Sequence, residues 1–120
     1  LIVTFDFRRT DRAGFGPLTR SSGFARQGYG QVFINTAAND WFINPDTTAL
    51  EDALRPVAAR YGSVGLLGYS MGGYGALRLA AALAADSAVL ISPQVSIAAA
   101  VVPFDRRYRA EGQLFDATLG

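Results

Sequence analysis

A chain of 120 residues, half of them hydrophobic and 18% charged, with a formal net charge of +1, reads as a single ordinary globular domain, and so even a charge balance argues against an electrostatic nucleic-acid binder. It contains no Cys, which excludes disulfides and thiolate metal sites, and no His, which removes the commonest general base and the commonest transition-metal ligand. Any catalysis that needs an imidazole cannot be completed by these residues alone.

The chain opens directly in an apolar, β-type run, Leu1-Ile2-Val3-Thr4-Phe5, without Met or a leader, so it reads as entered mid-fold, and its default location is cytoplasmic. Residues 10–30 carry five Gly and one Pro without apolar periodicity and are expected to form a loop-rich connection, with room for a short helix, that lines a cleft. Further strands are expected at residues 31–35, 64–67 and 88–91. Because these runs are continuous rather than alternating, they fit a parallel sheet covered on both faces.

Two helices are expected between the strands. Asn44-Pro45-Asp46-Thr47 offers an N-cap, a Pro at the first helical position and an acid in the first turn, and Ala49, Leu50, Ala53, Leu54 and Val57 follow at helical spacing. Pro56 inside that pattern predicts a kink or a restart, with Gly62 past the end. The second helix, over residues 71–85, is almost wholly Ala, Leu and Gly around Arg78, as a helix packed against a sheet requires. The fold class expected is α/β: one domain over residues 1–120, a mostly parallel sheet with flanking helices. The longest uncharged run, residues 88–104, is broken by Ser, Pro and Gln and is not a membrane span. The close at Leu119-Gly120 lacks a stop signal, so an incomplete portion of a larger fold is expected, whose open sheet edge and apolar faces would promote self-association.

The chemistry-bearing motif is Gly68-Tyr69-Ser70-Met71-Gly72-Gly73, which satisfies Gly-x-Ser-x-Gly. In this composition chance alone supplies about 0.08 such matches, so context decides. The motif lies where a buried strand hands over to an Ala-rich helix, the setting a nucleophile elbow needs. There a strained turn thrusts Ser70 out of the sheet, and Gly68 and Gly72 avoid a Cβ clash with neighbouring backbone. Ser70 is then a candidate nucleophile at the positive end of a helix, with the Met71 N–H facing a developing oxyanion. A tight turn whose glycines serve packing is the alternative.

Through residues 68–73 and the elements on either side, the chain resembles the α/β-hydrolase superfamily. The longer stretch Ser70-Met71-Gly72-Gly73-Tyr74-Gly75-Ala76-Leu77, with Ser92-Pro93-Gln94 ending the next strand, is similar to hydrolase-like proteins of bacterial surface glycans and accessory secretion, some of which are glycan acyltransferases or esterases. The resemblance implies a partial α/β-hydrolase fold and a serine hydrolase or acyltransferase that takes a small-molecule or glycan ester, or a thioester, through an acyl-enzyme at Ser70, without a cofactor or metal. It also implies a second oxyanion N–H from the loop after the first strand, at Phe7 or Arg8, although Asp6-Phe7-Arg8-Arg9 replaces the His-Gly-Gly-Gly of lipase-type members. The acid and His of the triad should follow Ser70. Asp105, Glu111 and Asp116 do follow it but read as solvated surface carboxylates, and the His must lie outside these residues or be absent. A non-catalytic module binding a glycan or a protein partner is the alternative function.

Three further clusters have two readings each. Arg8-Arg9-Thr10-Asp11-Arg12 reads as a solvated charge run with local Asp partners, or as a clamp for a carboxylate or phosphate. Arg106-Arg107-Tyr108-Arg109 reads as a polar helix face, or as a lid or an anionic substrate site. Trp41, in Asn39-Asp40-Trp41-Phe42, sits at a cleft mouth or staples the next helix to the core. Gly14-Phe15-Gly16 and Gly28-Tyr29-Gly30 lack the strand-to-helix context of a phosphate loop, so no nucleotide is expected.

Overall fold

The computed structural model describes residues 1–113. The strands are β1 (Ile2–Phe5), β2 (Gln31–Ile34), β3 (Gly65–Tyr69) and β4 (Ser87–Ile91), and the helices α1 (Ser22–Arg26), α2 (Thr47–Ala58), α3 (Met71–Leu79) and α4 (Arg109–Gln113). The strands form one all-parallel sheet in the order β2-β1-β3-β4. The chain is therefore of the α/β class. Val3 of β1 lies between Val32 of β2 and Leu66 of β3, and Tyr69 at the end of β3 pairs with Ile91 at the end of β4.

One face of the sheet is deeply buried. Val3, Phe5 and Leu66 point to it, and α3 covers it with Met71, Ala76 and Leu79, each of these three with no exposed surface; Leu50, Leu54 and Ala58 of α2 join the same core. Each large apolar side chain buried there contributes about 2 kcal/mol. Gly75 is what lets α3 come this close, since a Cβ at that position would stand 2.5 Å from the Phe42 ring, which itself meets Phe5 edge to face at 5.7 Å.

The other face corrects the expectation of a sheet covered on both sides. Among the described residues only the five-residue α1 and its flanking loop cover it, and Tyr69, Val89 and Ile91 remain 40 to 59% exposed. The reason is connectivity: both long crossover helices, α2 and α3, pack on the Val3–Phe5 face, and β4 ends the sheet among the described residues.

The helix boundaries moved for local reasons. Asn44 is not the N-cap of α2: its Oδ1 accepts from Asp46 N–H at 2.9 Å in a preceding turn, and the helix begins at Thr47. α2 continues through Pro56 to Ala58 without a restart, because Pro56 falls in the final turn, where only one backbone bond is lost. Helix α3 ends at Leu79, and the chain then winds through further turns to Ala84 at φ 47°, with Ala85 N–H bonded to Ala80 O and Ala84 N–H to Ala81 O. That pair of bonds is a Schellman closure built without glycine.

Candidate functional site

Along β1→β2 the chain moves to one side of β1, and along β3→β4 it moves to the other. The direction of winding therefore reverses between β1 and β3. In open parallel sheets that reversal leaves a crevice at the carboxyl ends of the two strands, free of crossover chain. The residues after β1 are Asp6, Phe7 and Arg8, and the residue after β3 is Ser70.

Ser70 has φ 50° and ψ −119°, a backbone conformation an L-residue adopts only under constraint. The constraint comes from both sides. Its N–H donates to Ile91 O at 2.9 Å, which ties the corner to β4, and its carbonyl accepts from Gly73 N–H at 2.9 Å and Tyr74 N–H at 3.3 Å, which starts α3. The glycines around it are required by close approach. A Cβ at Gly68 would penetrate the Gly72 carbonyl, and one at Gly72 would stand 2.7 Å from Asp6 O, so Gly72 is where the end of β1 abuts the start of α3. The hydroxyl is half-buried, and among the described residues it has one partner, Gln94 Oε1, at 3.2 Å. The Met71 N–H, first in the helix, has no acceptor among the described residues, while the Met71 side chain is fully buried in the core.

Across the crevice, Phe7 N–H donates to Asp6 Oδ1 at 2.9 Å. That amide is engaged, whereas the neighbouring Arg8 N–H has no acceptor among the described residues. Asp6 is wholly buried and holds two guanidinium groups, Arg12 at 2.8 Å and Arg9 at 3.2 Å. Arg12 also donates to the carbonyls of Thr36 and Phe7 and, through Nε, to Asn39 Oδ1. The reading of residues 8–12 as a solvated run is therefore corrected: the Arg12 side chain is 3% exposed and braces the loop from within, with Asp6 rather than Asp11 as its acid. Arg8 reaches Glu111 at 2.7 Å, so Glu111 is an ion-pair partner across the fold, not a solvated carboxylate.

Of the other downstream acids, Asp105 is engaged by Arg107 at 2.6 Å, and the hydrogen bonds from the Arg107 side chain and backbone lower its pKa from 3.8 to about 2. Asp116 lies outside the described residues. Arg106-Arg107-Tyr108-Arg109 is a turn leading into α4 rather than a helix face, and it places Tyr108 against Trp41, ring centroids 5.0 Å apart, with Arg8 and Arg107 flanking the Tyr108 ring.

Trp41 does not stand at a cleft mouth; it is fully buried, and its Nε1–H donates to Gln94 Oε1 at 3.3 Å. It and Phe42 both have positive φ, 52° and 57°. Asp40 stabilises that pair by accepting from Phe42 N–H, Thr36 Oγ1 and Asn44 Nδ2, and Thr47 Oγ1 closes the turn onto Phe42 O. Sequence reasoning left Asp6 and Gln94 without a role here, and it did not connect Trp41 to Gln94. Gln94 belonged to a quoted motif, but nothing in the motif says that its amide meets Ser70.

A cavity of about 370 Å³ lies on the less covered sheet face, lined by Phe7, Phe24, Phe33, Tyr69 and Arg9. Its walls include the residue just before Ser70 and the aromatic side chain of the β1 loop. Among the described residues no three His, Cys, Asp or Glu side chains converge as metal ligands would, and no helix is long and apolar enough to cross a membrane. No protein-family model, curated protein or solved structure matches this chain.

Proposed function

We propose that the chain is a partial α/β-hydrolase fold whose Ser70 is the nucleophile of a serine hydrolase or acyltransferase. Ser70 Oγ attacks the carbonyl carbon of an ester or thioester, its proton passing to a base. The carbonyl oxygen becomes an oxyanion beside the Met71 N–H, and collapse expels the alcohol or thiol with that proton to leave an acyl-enzyme. Water or a second hydroxyl then takes the acyl group. The base is an imidazole from outside these 120 residues, which contain none. The second oxyanion amide falls to Arg8 rather than Phe7, and the aromatic cavity beside Tyr69 suits the apolar part of a small-molecule or glycan ester.

One observation carries this reading: Ser70 is held at φ 50° between a parallel strand and a helix, with two glycines admitting the close backbone. That corner holds a half-buried hydroxyl at the crevice where the winding reverses, and the Ser70 side chain is not among the buried core residues. A second reading, a hydrolase-like module that binds a glycan or protein without chemistry, is favoured by a different observation. The partner of the hydroxyl is the neutral amide of Gln94, which cannot accept a proton.

The two readings separate on labelling by a fluorophosphonate probe, with excess imidazole supplied as the external base. The catalytic reading expects a phosphonyl adduct mapped by mass spectrometry to Ser70, stimulated by imidazole and absent in Ser70→Ala. An unlabelled Ser70 at every imidazole concentration sinks it and leaves the binding reading.

A further inference from the structure

The turn that follows β4 is shaped to deliver one side chain to Ser70. Ser92 has φ 48°, which reverses the chain, and Pro93 then packs on the first turn of α3 at Gly73, where a Cβ would come within 2.7 Å of Pro93 Cβ. This close approach brings Gln94, 8% exposed, beneath the elbow. Its amide oxygen and nitrogen look alike, but its neighbours tell them apart. The Trp41 indole N–H can only donate, so the atom 3.3 Å from it is the carbonyl oxygen, and the NH2 group is left to donate to Ser92 O at 3.3 Å. The same oxygen is 3.2 Å from Ser70 Oγ. A carbonyl oxygen only accepts, so the Ser70 proton points at Gln94.

We propose that Gln94 is a positioning residue for Ser70, its amide locked by Trp41 so that Oε1 holds the hydroxyl proton and fixes the rotamer of the nucleophile. The proposal rests on the nucleophile reading above and deepens it. Both lone pairs of Oε1 are committed, one to Ser70 and one to Trp41, so the amide cannot flip without orphaning a buried indole N–H. Trp41 is itself held in place: it is fully buried, packed against the tilted ring of Tyr108, and kept at positive φ by the Asp40 turn. Tyr108 in turn lies beneath Arg8, which is paired with Glu111. A neutral amide orients the hydroxyl but does not deprotonate it, so the external base must displace Gln94 from the proton or share it. Gln94 thus sets where the oxygen stands before attack, and leaves its lone pairs for the carbonyl carbon.

Two measurements test this, one of which needs no chemistry at Ser70. The chain has a single Trp, so Trp41 gives one indole N–H signal in a 1H–15N spectrum. Removing the other donor on the shared oxygen, by Ser70→Ala, should shift that signal. An unmoved indole signal overturns the proposal whether or not Ser70 is a nucleophile. For the second, the imidazole-dependent labelling rate is compared across variants that unfold at the native urea midpoint. Gln94→Leu is expected to lower it by about tenfold or more, and Trp41→Phe to lower it less. Gln94→Glu restores an acceptor that is also a base, so its labelling rate should rise with pH through the carboxylate range, a limb the native profile lacks. Native-rate labelling of Gln94→Leu, or a Gln94→Glu profile that overlays the native one, overturns the positioning role and leaves the nucleophile reading standing. A native chain that never labels Ser70 fails that reading instead, and with it this proposal.

Discussion

At the scale of single residues, the elbow glycines are predicted to differ sharply from glycines elsewhere. Gly68→Ala drives a Cβ into the Gly72 carbonyl, which is backbone and cannot yield, so a loss of about 2 kcal/mol or more is expected by urea unfolding. Gly62 has nothing within 4 Å of an added Cβ and a negative φ, so Gly62→Ala should be neutral or stabilise by about 0.5 kcal/mol through the unfolded state. Equal effects at the two positions would refute the crowded-corner account. Asp6 gives the largest expected loss. Asp6→Asn leaves the Arg12 guanidinium buried without its counter-charge, at a cost of about 3 kcal/mol, while the partly exposed Arg9 adds little. A loss below about 1 kcal/mol would mean that the Arg12 pair is not a buried charge pair. The Gly-x-Ser-x-Gly spacing already pointed to Ser70, because the elbow is a local device written in five consecutive residues. Nothing comparable pointed to Asp6, whose carboxylate and Arg12 partner are made internal only when β1, β2 and their loops converge.

At the scale of elements, the helix ends hold the clearest tests. Ala84 terminates the turns after α3 at φ 47°, where its Cβ is strained, so Ala84→Gly should stabilise by about 1 kcal/mol although glycine usually weakens helical segments. A thermal midpoint lowered by this change would show that the closure is not formed. Pro56 stands exposed in the last turn of α2, and Pro56→Ala restores a backbone donor, so a gain of about 1 kcal/mol is expected in the same assay. Helix and strand identity was legible because apolar spacing is local. The N-terminus of α2 was not, since Asn44 satisfies a turn before the helix, a choice imposed by the Asp40 and Thr47 hydrogen bonds around it.

For the whole molecule, the sheet presents an apolar face at Tyr69, Val89 and Ile91, and β4 is an edge among the described residues, uncharged and without Pro. Such an edge lacks the charges that keep strands from pairing between copies. The 120-residue chain is therefore expected to associate in a concentration-dependent way in light scattering, and Val89→Arg to return it towards monomer with an unchanged far-ultraviolet spectrum. A monodisperse native monomer at high concentration would oppose this. Each parallel strand run is apolar enough for a two-sided burial, which is why the sequence implies both faces covered. Which face the helices cover is a property of crossover direction, and no window of residues encodes it.

The α/β class, the strand-turn-helix corner and the absence of an internal imidazole are properties of consecutive residues or of composition, so the amino-acid order alone determined them. Gln94 beneath Ser70, Trp41 locking its amide, and Asp6 gathering Arg9 and Arg12 are contacts between residues 3 to 53 positions apart. Only the tertiary structure decided those. Hydrogen bonds and burial depend on what the folded chain places within a few ångströms, and sequence periodicity reports only which side of its own element a residue faces.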